Sequence, residues 1–357
     1  MKHWDMSSLG IMIDMAGCPN RCRHCWLGSH QNGSMAVDDL RHIAGQFKNW
    51  RDEYGCGIGE LGFFSWWREP DFRDDYRELW QIEQELSSPG RAQRFELLSI
   101  WRLARDESYA EWAAALEPKA CQITFFGMEK NTDWGTRRKG AFRDNLLAAE
   151  RLLEAGIAPR WQLFLTIRCL KELDALTRLL YDLKLHQRCE AIGRKFEVFI
   201  GGISPEGNGY ELEDIRVDEK DIPLIPRGLT DICREGAHLL GQPEYVLLDS
   251  LLQDDSPPHI GANFPCVSVN ADYDVYPNIA EPTEWWRLGN LKTDGIDKII
   301  KAYRDGTTPG MTMNRTIPVN ELARRYGDKN SAKLYTKDDL VSRWLHRSGV
   351  DYMKGRW

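Results

Sequence analysis

Three of the nine cysteines in this 357-residue chain crowd into Cys18-Pro19-Asn20-Arg21-Cys22-Arg23-His24-Cys25, a CxxxCxxC spacing, while Cys56, Cys121, Cys169, Cys189, Cys233 and Cys266 stand apart. The chance that some cysteine of such a chain has partners at both +4 and +7 is roughly half a per cent, so the cluster needs an explanation. Thiolates are the usual ligands of zinc and of iron–sulfur clusters, and Gly17 with Pro19-Asn20 supplies the turn residues that let one short loop aim three of them at one object. Three is the informative number. A structural zinc wants four protein ligands, whereas a cubane held by three cysteines leaves one iron open. The competing reading is a zinc loop completed by His24, His30 or another histidine. Adjacent His24 and Cys25 do not readily share one tetrahedral metal.

Other residues carry weaker signals. Glu69, in Trp66-Trp67-Arg68-Glu69-Pro70, reads either as a ligand-binding carboxylate or as a solvated helix-start acid. Thr124, Arg160 and Gln162 are polar positions in strand-like runs, and alternation puts Arg160, Gln162 and Thr166 on one face. Cys266 is a lone thiol, ordinarily a small buried hydrophobe. Fourteen tryptophans, with pairs at Trp66-Trp67 and Trp285-Trp286, suit core packing or the C–H faces of sugars. The turn Ser204 to Gly209 lacks the lysine of a phosphate-binding loop and reads as a tight exit from a strand.

The elements that must position these groups alternate between apolar runs and helical patterns, the signature of β-α units around a mostly parallel sheet. Strands are expected over Leu9 to Met15, Ile58 to Ser65, Phe95 to Trp101, Cys121 to Gly127, Arg160 to Ile167 and Phe196 to Ile203. Helices are expected over Val37 to Trp50, Asp74 to Glu85, from Trp101 toward Leu116, around Phe142 to Leu153 with Gly156 as the stop, and over Glu172 to His186. Six such units predict an α/β fold, a partial (β/α)6 TIM-like barrel, whose ligands lie at the carboxyl ends of the strands. After about residue 210 prolines at 223, 226, 257, 258, 265 and 277 break the pattern. A hairpin over Phe264 to Asn278 and a helix near Ile296 to Tyr303 make a smaller α+β carboxyl-terminal extension. The expected domains are 1–210 and 211–357.

Charge and hydropathy narrow the class. Basic residues number 47 against 54 acidic, a net charge of −7, and the absence of any long block of like charge disfavours nucleic-acid coating. The early apolar run Leu9 to Gly17 is broken by Asp14, lacks a signal-peptide cleavage pattern and is too short to span a bilayer. A cytoplasmic, non-membrane protein is expected.

The cysteine spacing on the loop after the first strand resembles the signature of radical S-adenosylmethionine (SAM) enzymes. The resemblance implies one [4Fe-4S] cluster on Cys18, Cys22 and Cys25, with SAM chelated by the open iron. It also implies an electron from a flavodoxin- or ferredoxin-type donor and a 5′-deoxyadenosyl radical that abstracts a hydrogen atom from substrate. His24 holds a position commonly aromatic or His in that family. Trp67-Arg68-Glu69-Pro70 resembles its Gly-Gly-Glu-Pro motif, which gives Glu69 the SAM ammonium. Thr124 would take the polar place often near the SAM ribose in that family, and Arg160 and Gln162, on the lumen-facing side of their strand, are expected to bind cofactor with it. The extension resembles degenerate SPASM or twitch extensions; Tyr276-Pro277-Asn278 replaces Tyr-Pro-Cys, so no auxiliary cluster is expected. Cys266 matches the single cysteines that donate a hydrogen atom in epimerases of the family, with Cys169 as competitor. The expected substrate is a small polar molecule, a sugar or aminocyclitol/aminoglycoside, dehydrogenated or epimerised. A ribosomal-peptide maturase and a non-catalytic zinc or iron–sulfur module are the alternatives.

Overall fold

A computed structural model of the chain describes residues 6–28, 30–94, 96–233, 240–261, 264–278 and 281–356. Strand β1 (Ser8–Ile13) is buried on both faces, as a parallel strand covered by helices must be, and Leu9, Ile11 and Ile13 are wholly inaccessible. It pairs in parallel with β2 (Glu60–Phe64), setting Gly10 opposite Gly62 and Ile11 opposite Phe63. Helices α1 (Val37–Asn49) and α2 (Tyr76–Leu86) follow these two strands. Two short helices, α3 (Ile100–Leu103) and α4 (Tyr109–Ala114), lead to a second parallel sheet of β3 (Ala120–Phe125), β4 (Ala158–Phe164) and β5 (Glu197–Gly201). Its connections carry α5 (Glu129–Thr136) and α6 (Ala141–Glu154), then α7 (Leu173–Asp182) and α8 (Leu185–Ala191).

Five of the six expected strands form. The third, Phe95 to Trp101, does not: Phe95 lies outside the described residues, and Ile100 and Trp101 already belong to α3. The edge it would have joined is closed by side chains. Leu61 N–H donates to Ser88 Oγ at 3.0 Å, Phe63 N–H to Ser87 Oγ at 2.9 Å and Ser65 N–H to Glu83 Oε1 at 2.7 Å. A strand edge whose donors are spoken for has nothing to offer another strand. The segment still touches the second sheet, where Gln122 N–H donates to the Glu96 carbonyl at 2.9 Å. The parallel strands therefore stand in two sheets, and no closed barrel is formed among the described residues. The fold is mixed α/β with parallel sheets.

The extension begins with α9 (Arg227–Thr230), β6 (Gln242–Pro243) and α10 (Glu244–Leu251). Its expected hairpin is present as β7 (Cys266–Val269) and β8 (Asp274–Pro277), with β9 (Gly289–Asn290) beside them. The hairpin does not stand apart. Strand β7 adds in parallel to the free side of β1, placing Cys266 opposite Gly10 and Ile13 opposite Val269, so the first sheet runs β2-β1-β7-β8-β9. Val267, Val269 and Val275 share one core with Ile11, Ile13, Phe47 and Phe63, closed by Ile299 and Tyr303 of α11 (Ile296–Asp305). Three further helices, α12 (Pro309–Thr316), α13 (Val319–Tyr326) and α14 (Lys337–Met353), complete the extension, and β10 (Leu334–Tyr335) pairs with β6. No helix among the described residues is long and apolar enough to cross a membrane.

Candidate active site

The loop after β1 turns at a glycine and is held by an asparagine packed on it. Gly17 has φ +83°, and a Cβ there would lie 2.1 Å from Asn32 Oδ1. Asn32 in turn clasps Cys18, accepting its N–H at 3.1 Å and donating Nδ2–H to its carbonyl at 3.0 Å. Beneath the loop Arg68 pairs with Asp14 at 2.7 Å, both side chains 6% exposed, which fixes the end of β1 against the segment after β2.

Two other connections clamp the loop. From the second sheet, Arg21 N–H and Arg23 N–H donate to the carbonyls of Thr136 and Gly135 at 3.1 and 2.7 Å. From the exit of β5, Asn208 donates its backbone N–H to the Cys25 carbonyl at 2.9 Å and its Nδ2–H to the Cys22 carbonyl at 3.1 Å. Gly207, with φ +53°, lets that backbone come close; a Cβ would meet the Trp26 carbonyl at 2.5 Å. The Ser204 to Gly209 turn is thus both a strand exit and a brace for the cysteine loop.

The result is a cavity of about 470 Å3, lined by Cys18, Cys22, Cys25, His24, Glu69 and Thr124 together with Trp66, Trp67 and Arg138. That volume is within the range of small-molecule sites. Burial raises all three thiols, Cys22 to about 12. Backbone amides nonetheless point at the sulfurs: Asn20 N–H donates to Cys18 Sγ at 3.4 Å, and the amides of Leu27 and Gly28 face Cys25. Among the described residues no three His, Cys, Asp or Glu side chains converge as one metal ion requires. A cubane sets each thiolate on a different iron, and three thiols with amide donors around a walled cavity fit such a group.

The other lining groups have defined states. Glu69 accepts from Ser99 Oγ at 2.7 Å, yet burial pushes its carboxyl up to about 7. His24 packs against the rings of Phe126 and Phe164 at 4.8 and 4.6 Å, and burial lowers it to about 4, so the imidazole is neutral. Arg138, which sequence reasoning passed over, donates Nε–H to Asn20 Oδ1 at 2.6 Å and is bridged to Asp144.

Arg160, Gln162, Cys266 and Cys169 do not line this cavity. Arg160 is bound by Glu96 and by Gln122 Oε1 and lies over the Phe199 ring at 4.9 Å, tying β4 to its neighbours. Gln162 lies on β4 between Thr124 and Phe199 in register. Cys266 is fully buried in an apolar cluster with Met12, Phe64, Trp66 and Trp67, one layer beneath the cavity wall. Cys169 donates to the Thr166 carbonyl at 3.2 Å.

A structure of native anSMEcpe with bound AdoMet and Kp18Cys peptide matches 98% of this chain and 98% of its own, at TM-score 0.51 and 12% identity. Native anSMEcpe with bound AdoMet matches 97% and 98%, also at 0.51 and 12%. SuiB of Streptococcus suis covers 85% of this chain and 67% of its own at TM-score 0.48 and 14% identity. Both anSMEcpe structures hold bound AdoMet. The chain shares the anSMEcpe fold over nearly its whole length. No protein-family profile matches the chain, and no curated protein is similar to it in sequence.

Proposed function

We propose that the chain is a radical SAM enzyme acting on a small polar substrate. The observation that carries the reading is the shared lining of one cavity by Cys18, Cys22, Cys25 and Glu69, at the loops following β1 and β2. The three cysteines would hold a [4Fe-4S] cluster. With SAM bound and one electron delivered by a flavodoxin- or ferredoxin-type donor, that group supplies a 5′-deoxyadenosyl radical able to abstract a hydrogen atom from carbon. The chain's part is placement and exclusion of water. Glu69 would take the SAM ammonium, Thr124 a polar edge of the nucleoside, and neutral His24 would pack without adding charge. Trp66 and Trp67 wall the cavity on one side, where a carbon radical needs protection from solvent.

The extension, residues 211–357, would cover the site and supply substrate contacts. Dehydrogenation of a sugar or aminocyclitol is favoured over epimerisation, because Cys18, Cys22 and Cys25 are the cysteines lining the cavity and Cys266 lies beneath its wall. A peptide substrate is supported equally by the fold likeness, since anSMEcpe is seen with a bound peptide. The test is turnover of the anaerobically reconstituted protein with SAM and dithionite. Release of 5′-deoxyadenosine, lost in the C18A/C22A/C25A variant, supports the assignment; equal release from both would remove it.

A further inference from the structure

A second cavity, of about 420 Å3, lies between the exit of β5, the segment after β8 and helix α14. Its walls include Trp26, Glu206, Asn278, Glu281, Trp285 and His346, and Trp26 lines the cysteine cavity as well. Three carboxylates face it, Asp338 being the third, and among the described residues neither lysine nor arginine does. Two buried acceptors have no hydrogen-bond donor among the described residues: Oδ1 of Asn278, a residue only 8% exposed, and Oε2 of Glu281. His346 Nδ1 stands 3.4 Å from Glu281 Oε2, but burial lowers its pKa to about 4, so it brings no charge at neutral pH. Burial and the facing charge of Glu206 instead push Glu281 up to about 7.

Carboxylates and an amide oxygen gathered around a cavity with no lysine or arginine among its described lining residues suit a positively charged donor of several hydrogen bonds. Tryptophan faces on the same walls suit such a cation and the C–H face of a ring attached to it. We propose that this cavity binds the ammonium group of a compact polar amine, held by Glu206, Glu281 and Asn278, so that the rest of the substrate extends past Trp26 toward the cysteine loop. The inference deepens the function proposed above and rests on it for the identity of the ligand as substrate.

The test is calorimetric titration of the reconstituted holoenzyme, with SAM present, against 2-deoxystreptamine, myo-inositol and Nα-acetyl-lysine amide. The diamine is expected to bind about tenfold or more tightly than the uncharged cyclitol, a gap of the size charge-assisted hydrogen bonds produce. Glu281→Gln and Glu206→Gln should each weaken the diamine about tenfold while iron content and SAM affinity stay at the wild-type level. Equal affinity for diamine and cyclitol, or glutamine variants that bind the diamine as wild type does, would overturn the proposal. Acetyl-lysine amide binding as tightly as the diamine would overturn its compact-substrate part. If the wild type binds the amine through these glutamates but releases no 5′-deoxyadenosine with SAM and dithionite, the SAM reading fails and the ammonium site stands.

Discussion

Glu69 shows how much one side chain can decide. Its carboxyl is bonded to Ser99 and an amide, with Arg138 acting only at a distance, and still sits near 7. Such a group gains most from a ligand cation. Glu69→Gln keeps the shape and removes the charge, a change worth about 1.5–3 kcal/mol for a charge-assisted bond. The SAM dissociation constant should therefore rise about tenfold or more, measured by equilibrium binding, with iron content unchanged. An unaltered constant would release Glu69 from this role. Gly17 makes the opposite kind of prediction. Gly17→Ala places a methyl where Asn32 already is, at a φ that alanine resists. Iron incorporation should fall well below wild type while the thermal transition moves by only a few degrees. The cysteine loop was legible in the sequence through its spacing, Glu69 through its place after a strand end, and Thr124 only through the resemblance. Arg138, Asn208 and Glu281 were not, since each acts through chain segments distant in sequence.

At the scale of elements, the missing third strand is the clearest lesson. The run Phe95 to Trp101 is apolar enough to be a strand, but Ser87, Ser88 and Glu83 had already answered the donors of β2. Nothing in a single segment's composition reveals that. The same corner holds a buried charge group: Arg94 reaches Glu83 at 2.5 Å and Asp71 at 2.9 Å with its side chain at 0% exposure, and Tyr109 donates to Asp71 at 2.6 Å. Removing the cation strands two buried carboxylates, so Arg94→Met should destabilise by about 3–5 kcal/mol. Denaturant melts would show a lower midpoint at similar slope. A loss under about 1 kcal/mol would mean that the carboxylates find water instead. The helices of the extension were largely unread for a related reason. In α14 the buried Leu340, Val341, Trp344 and Leu345 keep the helical period, but Gly349 in its interior reads as a breaker, and only the Trp285 ring, 2.2 Å from where a Cβ would lie, explains it.

For the whole molecule, the sequence pattern changes near residue 210, yet the first sheet and its core run across that point. Val267 and Val269 of β7 are fully buried against β1, and α11 closes the same core. The fragment 1–210 would expose that apolar side of β1 to water. It should lack a cooperative thermal transition and aggregate, whereas a fragment that melts cooperatively near the full-length midpoint would show that the sheet does not need the hairpin. This coupling has a functional sense. The segment that carries Asn278 is anchored to β7, which pairs with the strand that presents the cysteines.

In the proposed function three cysteines hold a cubane whose remaining iron takes SAM. Electron paramagnetic resonance of the anaerobically reconstituted, dithionite-reduced protein, with and without SAM, tests it directly alongside iron and zinc counts. The expected result is about four irons per chain, a reduced-cluster signal, and a shift of that signal when SAM is added. Stoichiometric zinc, or a cluster signal identical with and without SAM, would contradict it.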